Sequence, residues 1–248
     1  MIPSIQPAYF TENQILAALK ESEYGEMFSQ LERVSVGLGD PVYEANAQIS
    51  HVYFPETAVF SMLATMEDGR TVEVGPVGNE GLVGLGVALG STTAPDRVLV
   101  HIAGTALRLK ATSLKAELIF GQKTLSHNLT RYTRMLLAMT ARTSACNKLH
   151  SLEQQLARWL LTMNDYAGNE LRLTHDLMAL TLGVRRAGVS VTANSFRSSG
   201  VIDYRRGQIL VVNRQGLEAI ACECYEVVKE EYDSLYADLS KGYKLFEP

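Results

Sequence analysis

Two adjacent arginines, Arg185 and Arg186, stand two and three positions after Gly183 in a segment with helical periodicity. The guanidinium group is a planar fork of donors that matches the O6 and N7 acceptors of guanine in the major groove of DNA. The pattern predicts a short helix capped by Thr174 that ends at Gly183, and a second helix from about Arg185 to Ser198. This order of helix, glycine turn and helix is typical of a helix-turn-helix.

The periodicity of the second helix predicts that Val189 and Phe196 face the core. The residues that then face outward and are candidates for base contact are Arg185, Arg186, Ser190 and Asn194. After the helix, two alternating runs around Gly207 predict a β-hairpin wing, whose basic tip, Arg205 and Arg206, would contact backbone phosphate. Thr174, with its hydroxyl and the free amides of a helix start, is a further candidate for phosphate contact.

Charge is distributed unevenly along the chain. Its 23 basic and 27 acidic residues give a net charge of −4, yet residues 170–215 contain 7 basic and only 3 acidic residues. Residues 126–169 are also net positive, whereas residues 1–125 and 216–248 are net acidic. A basic block is what attraction to phosphate requires, although a solvated basic face gives the same pattern.

The residues ahead of this block predict a β domain and a long helix. From about Gly37 to Leu109, short apolar runs alternate with turn residues, as in an antiparallel barrel or sandwich. Ala58–Met66 and Thr71–Val77 predict a hairpin in which Asp68-Gly69 supplies the positive φ angles of a two-residue turn. A later run predicts a strand pair broken at Gly104.

Apolar residues then repeat at alternating spacings of 4 and 3 from Leu125 to His150, which predicts one long helix with a coiled-coil seam between two copies. The predicted dimer contacts are Leu125, Leu129, Tyr132, Leu136, Met139, Thr143 and Cys146. A helix buried within one chain has nearly the same period over this length. Ser151 begins another helix, with Gln154 suited to a capping box.

These changes of pattern divide the chain into three parts. We expect a β domain at residues 1–125, a dimerisation helix at 126–150 and a DNA-binding domain at 151–248, which together make an α+β protein. No window approaches the roughly 18 apolar residues that a membrane span needs, and the N-terminus lacks the pattern of a signal peptide. We therefore expect a cytoplasmic protein with no membrane partner.

Cysteine and histidine usage argues against a metal centre. Cys146, Cys222 and Cys224 are too few for a disulfide framework and one ligand short of a closed zinc site. They are predicted to be structural thiols, with a redox or metal-sensing role for Cys222 and Cys224 as the alternative. His51 and His101 stand alone, so we expect no metal and no catalytic residues, although a cupin-like metalloenzyme would share the β architecture.

The order of these parts resembles the cyclic-AMP receptor protein and fumarate-nitrate reduction regulator (Crp/Fnr) superfamily of transcription regulators. The resemblance is carried by residues 52–84, VYFPETAVFSMLATMEDGRTVEVGPVGNEGLVG, and residues 177–207, LMALTLGVRRAGVSVTANSFRSSGVIDYRRG. It implies an N-terminal jelly-roll sensor like a cyclic-nucleotide-binding domain, a long dimerisation helix, and a C-terminal winged helix-turn-helix that binds duplex DNA as a homodimer. Arg186 would be a main base-reading residue. RNA polymerase and a small-molecule effector are further partners that it implies.

The sensor departs from the best-known patterns of this superfamily. Members that bind cyclic nucleotide share a Gly-Glu pair and an arginine followed by a small residue, but here Leu85 follows Gly84 and Val98 follows Arg97. Iron–sulfur members need cysteine ligands near the N-terminus, and residues 1–145 contain none. A haem would depend on His51 or His101. The sensor cofactor is therefore unknown, cyclic AMP is not expected, and a cyclic-nucleotide-responsive regulator is the alternative.

Overall fold

The computed structural model describes residues 11–205 and 207–240. Two helices come first, α1 (Gln14–Ala17) and α2 (Glu21–Ser29). The strands that follow in the first half of the chain are β1 (Glu32–Val36), β2 (Pro41–Tyr43), β3 (His51–Pro55), β4 (Val59–Thr65), β5 (Thr71–Val77), β6 (Arg97–Ile102) and β7 (Gly104–Lys110).

These strands form two sheets, with the orders β1-β7-β3 and β2-β6-β4-β5. Strand β7 pairs antiparallel with both β1 and β3, which sets Phe54 opposite Leu107 and Val52 opposite Leu109. All four side chains are at most 1% exposed. Alternating residues of each strand therefore point into a core, and the predicted antiparallel β domain is confirmed.

The strands β6 and β7 follow one another in sequence but belong to different sheets. The prediction of a strand pair broken at Gly104 was therefore right about the strands and wrong about their pairing. A Cβ atom at Gly104 would lie 2.5 Å from the backbone nitrogen of Ala58. Only glycine fits there, because two stretches of backbone come into contact where the chain passes from one sheet to the other.

The β4–β5 hairpin has a three-residue loop instead of the predicted two-residue turn. The Met66 N–H donates to the Arg70 carbonyl at 2.8 Å, and the Gly69 N–H donates to the Met66 carbonyl at 2.9 Å. Gly69 has a φ of +82°, whereas Asp68 has no positive φ and instead accepts from the Arg70 N–H through its carboxylate. A type I turn followed by a left-handed glycine gives this pattern.

The second half of the chain is mainly helical. Its elements are α3 (Ala111–Phe120), α4 (Lys123–Leu149), α5 (Leu152–Ala167), β8 (Glu170–Leu171), α6 (His175–Leu182), α7 (Arg186–Ser198), β9 (Ile202–Arg205), β10 (Gln208–Val211), α8 (Arg214–Ile220) and α9 (Cys224–Ser240). Among the described residues, no helix has the length and hydropathy needed to cross a bilayer.

Contacts divide the chain into two units. One contains the residues up to Ser61, Pro76–Leu136 and the residues from Tyr232 onward, and the other contains Met62–Gly75 and Leu137–Glu231. The predicted domain boundaries, at residues 125 and 150, were placed where the sequence pattern changes. The division by contacts falls elsewhere because the long helix α4 and the β4–β5 hairpin are each shared between the units.

Helix α4 confirms the predicted long helix but not its predicted seam. Of the seven residues assigned to the dimer contact, five are at most 3% exposed in the single chain, namely Leu125, Leu129, Tyr132, Met139 and Cys146. A side chain that its own chain already covers has no surface left for a partner. Those five residues therefore form intramolecular core, and only Leu136 and Thr143 of the predicted seam remain partly exposed.

The C-terminal helix α9 runs beside α4. In the first unit, Arg131 on α4 donates to the Asp238 carbonyl at 2.8 Å, and Arg134 lies 3.5 Å from the Ser234 hydroxyl. In the second unit, Ala138 and Ala141 of α4 line a shallow groove with residues of α9. The sequence pattern did not predict α9.

His101 on β6 is 1% exposed, and burial lowers the pKa of its imidazole to about 4. The pKa of an unperturbed histidine is about 6.5. At pH values between these two the unfolded chain binds a proton that the folded chain does not, so the free energy of unfolding decreases as the pH falls. Between pH 7 and pH 5 this one group accounts for a loss of about 2 kcal/mol.

We therefore expect His101→Met to lose about 2 kcal/mol less stability than the wild type between pH 7 and pH 5. Urea unfolding at both pH values measures the difference. His51→Gln, which changes a half-exposed histidine on β3, should follow the wild type. If His101→Met loses as much unfolding free energy between pH 7 and pH 5 as the wild type does, the pKa of His101 is not lowered in the folded chain.

Candidate nucleic-acid interface

Helix α5 forms the base on which the candidate interface is built. The Ser151 hydroxyl accepts from the Gln154 N–H at 3.3 Å and the Gln154 side chain accepts from the Ser151 N–H at 3.1 Å, so the predicted capping box is present. Leu156, Trp159 and Leu160 are at most 2% exposed. The indole N–H of Trp159 donates to a carboxylate oxygen of Glu73 at 3.1 Å, which satisfies the buried polar end of that ring.

The turn between α6 and α7 has the predicted helix-turn-helix geometry. Thr174 caps α6, and its hydroxyl accepts from the Leu177 N–H at 3.1 Å. Gly183 ends α6 with a φ of +64°, in the left-handed region that favours glycine. A Cβ atom there would lie 3.2 Å from two carbons of Val72. Both the backbone conformation and the close neighbour therefore favour glycine at this position.

Helix α7 has one buried and one exposed face. Val189, Ala193 and Phe196 are 0% exposed and pack into the domain core. Arg185 is the N-cap residue, and the side chains of Arg186 and Asn194 are exposed on the opposite face. Val191 is 72% exposed, and Ala187 is exposed beside it. The faces of this helix are those that its periodicity predicts.

Gly188 lies inside α7, where glycine disfavours a helix by roughly 1 kcal/mol relative to alanine. A Cβ atom there would lie 3.0 Å from a methyl carbon of Leu152 on α5. The close approach of α5 and α7 at this point gives a packing reason for glycine.

Arg186 already has a partner within the chain. Its Nε lies 3.2 Å from a carboxylate oxygen of Asp176 on α6, and the two side chains are 67% and 71% exposed. Exposed pairs of this kind contribute only about 0–1 kcal/mol. Arg186 can therefore exchange this carboxylate for another acceptor at little cost.

His175 lies in the candidate interface and was not predicted from the sequence. Its Nδ1 lies 2.9 Å from the Ser190 hydroxyl on α7, and its ring meets that of Tyr204 on β9 edge to face, with 5.1 Å between centroids. Burial raises the pKa of Tyr204 to about 12, so this phenol stays neutral. His175 thus links both helices and the wing, and no local pattern indicates such a contact.

The predicted wing is a hairpin of β9 and β10, in which Arg205 pairs with Gln208 and β10 also pairs with β8. Gly207 in its turn has a φ of +81°. Arg205 is in a strand, but its side chain and the whole of Arg206 lie outside the described residues. The basic tip therefore stays a prediction.

Two other arginines of the basic block are held by acidic residues. Arg214 lies 2.8 Å from Asp165 and 2.9 Å from Glu218, and Arg197 lies 3.1 Å from Asp203. Part of the positive charge of residues 170–215 therefore stabilises the domain itself. The exposed arginines at the start of α7 are better placed to meet an external anion.

The sensor residues singled out in the sequence have structural partners. Arg97 is the first residue of β6 and lies 3.4 Å from a carboxylate oxygen of Glu44. Gly84 has a φ of +91°, and a Cβ atom there would lie 2.8 Å from the Tyr43 hydroxyl. Within the described residues, neither His51 nor His101 belongs to a cluster of three or more potential metal ligands.

Comparison with known proteins supports this description. Residues 154–220 match the model of the Crp-like helix-turn-helix domain. The chain is similar to FixK2 from Bradyrhizobium japonicum, at 17% identity over 77% of this chain and 98% of that chain, with a TM-score of 0.66. It is also similar to a crp/fnr family regulator from Eubacterium rectale, at 17% identity, 86% and 98% coverage and a TM-score of 0.64. No curated protein matches the chain.

A third similar structure is the CRP/FNR family regulator TTHA1359 from Thermus thermophilus, at 20% identity over 77% of this chain and 98% of that chain, with a TM-score of 0.64. These structures share with the chain the succession of an antiparallel β domain, a long helix and a winged helix-turn-helix. The chain therefore contains a Crp-like helix-turn-helix domain at residues 154–220 and shares its fold with structures of Crp/Fnr-family regulators.

Gly183→Ala should lower the free energy of unfolding by about 1–2 kcal/mol. Alanine would have to adopt an unfavourable left-handed backbone conformation, and its methyl group would be too close to Val72. Gly200→Ala is the matched control, since Gly200 has a φ of +73° and nothing within 4 Å of its Cβ position. Its loss should be about 1 kcal/mol. Urea unfolding compares the two, and equal losses would mean that Val72 moves away without cost.

Proposed function

We propose that the chain acts as a homodimer in which each copy reads half of an inverted DNA repeat through α7. The observation that carries this proposal is the division of α7 into a fully buried face and an exposed face that begins with Arg185 and Arg186. A helix fixed in this way can enter the major groove with its N-terminal residues against base edges. A two-fold dimer would set the two readers about 34 Å apart, which is one turn of DNA.

The exposed residues of α7 suit different roles. Arg186 is the proposed guanine contact, with Arg185 beside it, because each guanidinium can donate two hydrogen bonds to O6 and N7. Asn194 is suited to adenine, to which an amide can both donate and accept. Ser190 is held by His175 at 2.9 Å, so its hydroxyl has a fixed position against the DNA.

Phosphate contacts would come from the residues around this helix. The Thr174 hydroxyl accepts from the Leu177 N–H and keeps its own proton to donate to a phosphate oxygen. Arg205 and Arg206 at the wing are the other proposed phosphate contacts. Such contacts fix the register of the protein on the duplex and carry no sequence information.

The two copies would pair along the face of α4 that the chain leaves open. Its exposed residues repeat at spacings of 4 and 3, and they are Thr130, Arg134, Leu137, Ala141, Ser144 and Lys148. Leu137 is 66% exposed and is the large apolar residue of this stripe. Small residues around it would allow two helices to approach closely.

Further partners are expected from the resemblance to Crp/Fnr regulators. We expect a small-molecule effector for the β domain, of unknown identity, contact with RNA polymerase, and action in the cytoplasm without catalysis. One similar structure, CLP from Xanthomonas campestris, is described as responsive to c-di-GMP. A thermal-shift screen of the full chain against cyclic mononucleotides and dinucleotides would detect such a ligand as a rise in Tm.

Arg186→Ala should weaken binding to a selected operator by about 1–3 kcal/mol and leave binding to random duplex largely unchanged. Fluorescence anisotropy on both duplexes measures this. Lys20→Ala removes one exposed charge at the N-cap of α2 and is the control. It should bind both duplexes with the affinity of the wild type.

An equal loss on both duplexes would make Arg186 a phosphate contact. Affinity that does not fall with increasing salt would contradict DNA binding as a whole and favour a winged helix that binds protein, because counterion release makes DNA affinity salt-dependent.

Leu137→Asp should raise the dimer dissociation constant at least about tenfold, since it places two carboxylates in the proposed contact. Leu149→Asp is the matched control, because Leu149 is 76% exposed on the same helix but lies off the stripe. Analytical ultracentrifugation measures both. Because Leu137 is exposed in the single chain, far-UV circular dichroism of the variant should match the wild type, and an unchanged dimer would refute this interface.

A further inference from the structure

Four potential metal ligands converge where α4 ends and α9 begins. Cys146 and His150 lie one turn apart at the end of α4, while Cys222 and Cys224 flank Glu223 at the start of α9. All four ligand atoms lie within 4.8 Å of one another. The three cysteines are at most 5% exposed. The sequence analysis counted the three cysteines and expected no metal, because it did not combine His150 with Cys146 one helical turn before it.

Two distances within this cluster are those of a tetrahedral zinc site. Zn–S bonds of about 2.3 Å and Zn–N bonds of about 2.0–2.1 Å set neighbouring ligand atoms roughly 3.5–3.8 Å apart. The Sγ atoms of Cys146 and Cys222 are 3.5 Å apart, and Cys224 Sγ is 3.6 Å from His150 Nδ1. We propose that Cys146, His150, Cys222 and Cys224 bind one Zn²⁺ ion.

The surroundings of the histidine support this assignment. With Nδ1 turned to the thiols, Nε2 of His150 lies 3.3 Å from a carboxylate oxygen of Glu223. Histidines that bind a metal typically donate their other ring N–H to a carboxylate, which fixes the tautomer and orients the ring. His150 is also held through its backbone, since the Gln155 side chain donates to its carbonyl at 2.8 Å.

A buried cation provides a second, independent observation. Arg158 is 8% exposed, and its Nε has no hydrogen-bond partner among the described residues. Its charge acts on the Cys146 thiol, so Arg158 lies close to the cluster. A Zn²⁺ ion with three thiolates and one neutral histidine has a net charge of −1. Arg158 is positioned to balance it.

Two other roles for these thiols, a disulfide and an iron–sulfur cluster, account for fewer of the observed contacts than zinc does. A disulfide between Cys146 and Cys222 requires an S–S distance of about 2.0 Å and gives no role to Cys224 or to the His150 and Glu223 pair. A cubane iron–sulfur cluster takes thiolates on four separate irons, which lie farther apart than ligands of a single ion. One small tetrahedral ion uses all four groups.

The ligands flank the whole winged helix-turn-helix. Cys146 and His150 precede α5, and Cys222 and Cys224 follow α8, so residues 151–221 form a loop closed by the metal. Closing a long loop stabilises a fold because it restricts the unfolded chain. The ion would therefore stabilise the base of the DNA-reading domain, whatever sequence that domain reads.

The test begins with the full chain, purified under reducing conditions in buffers without chelator and without a metal-affinity column. Elemental analysis should find one zinc per chain, and exchange with Co²⁺ should give the visible bands of a tetrahedral site with thiolate charge transfer. A chain that stays free of zinc when supplied with excess Zn²⁺, or that binds iron with a brown colour, overturns the proposal. So does recovery of a Cys146 to Cys222 disulfide from metal-free protein under these conditions.

Variants separate binding from folding. Cys222→Ser should weaken zinc binding at least about a hundredfold, and Glu223→Gln about 10–100-fold, because Glu223 only orients His150. The Glu223 side chain is 68% exposed, so this variant should fold normally. His150→Cys should keep the metal with a stronger charge-transfer band. His127→Gln, on α4 but outside the cluster, is the control.

A chelator should lower Tm of the wild type and of His127→Gln but leave Cys222→Ser unchanged, because only a bound ion contributes its binding free energy to stability. If Glu223→Gln and His127→Gln bind zinc equally well, the proposed role of Glu223 is wrong. If Cys222→Ser binds as tightly as the wild type, the cluster is not the site.

Discussion

The burial of one face of α7 is the constraint on which the rest of the helix-turn-helix domain depends. Val189, Ala193 and Phe196 are fully enclosed, and this fixes the rotation of the helix about its own axis. Because residues on a helix advance by 100° each, fixing three of them fixes the direction of all the others. The arginines at the start of α7 face outward as a consequence of packing on the opposite side.

The parts of the fold that depend on local chemistry were predictable from the sequence. The capping box at Ser151, the threonine cap at Thr174 and the left-handed Gly183 each involve residues within four positions of one another. The periodicity predicted the buried and exposed faces of α7 because these faces also depend on residues close together in sequence. The hairpin turn was assigned one residue too short, because Asp68 stabilises the loop through its side chain instead of adopting a positive φ.

Contacts between distant parts of the chain were not predictable. The repeat along α4 correctly indicated a buried stripe, but it could not distinguish the chain's own core from a partner, and Leu125 and Tyr132 turned out to be covered internally. The same limit applies to the thiols. Cys146 and His150 lie one helical turn apart, but Cys222 is 76 positions from Cys146, and only folding brings the two pairs of ligands together. His175 and its contact with Ser190 are a third case.

In the proposed complex, the ion pair between Arg186 and Asp176 would affect how the protein moves along DNA. While the guanidinium rests against its own carboxylate, it adds little to the attraction for random phosphates, and the protein spends less time on each wrong site. A guanine that offers two acceptors in the right geometry can displace the carboxylate, whereas an adenine or a thymine offers less. In that proposal, self-pairing would reduce overall adhesion without reducing discrimination, which would favour rapid search.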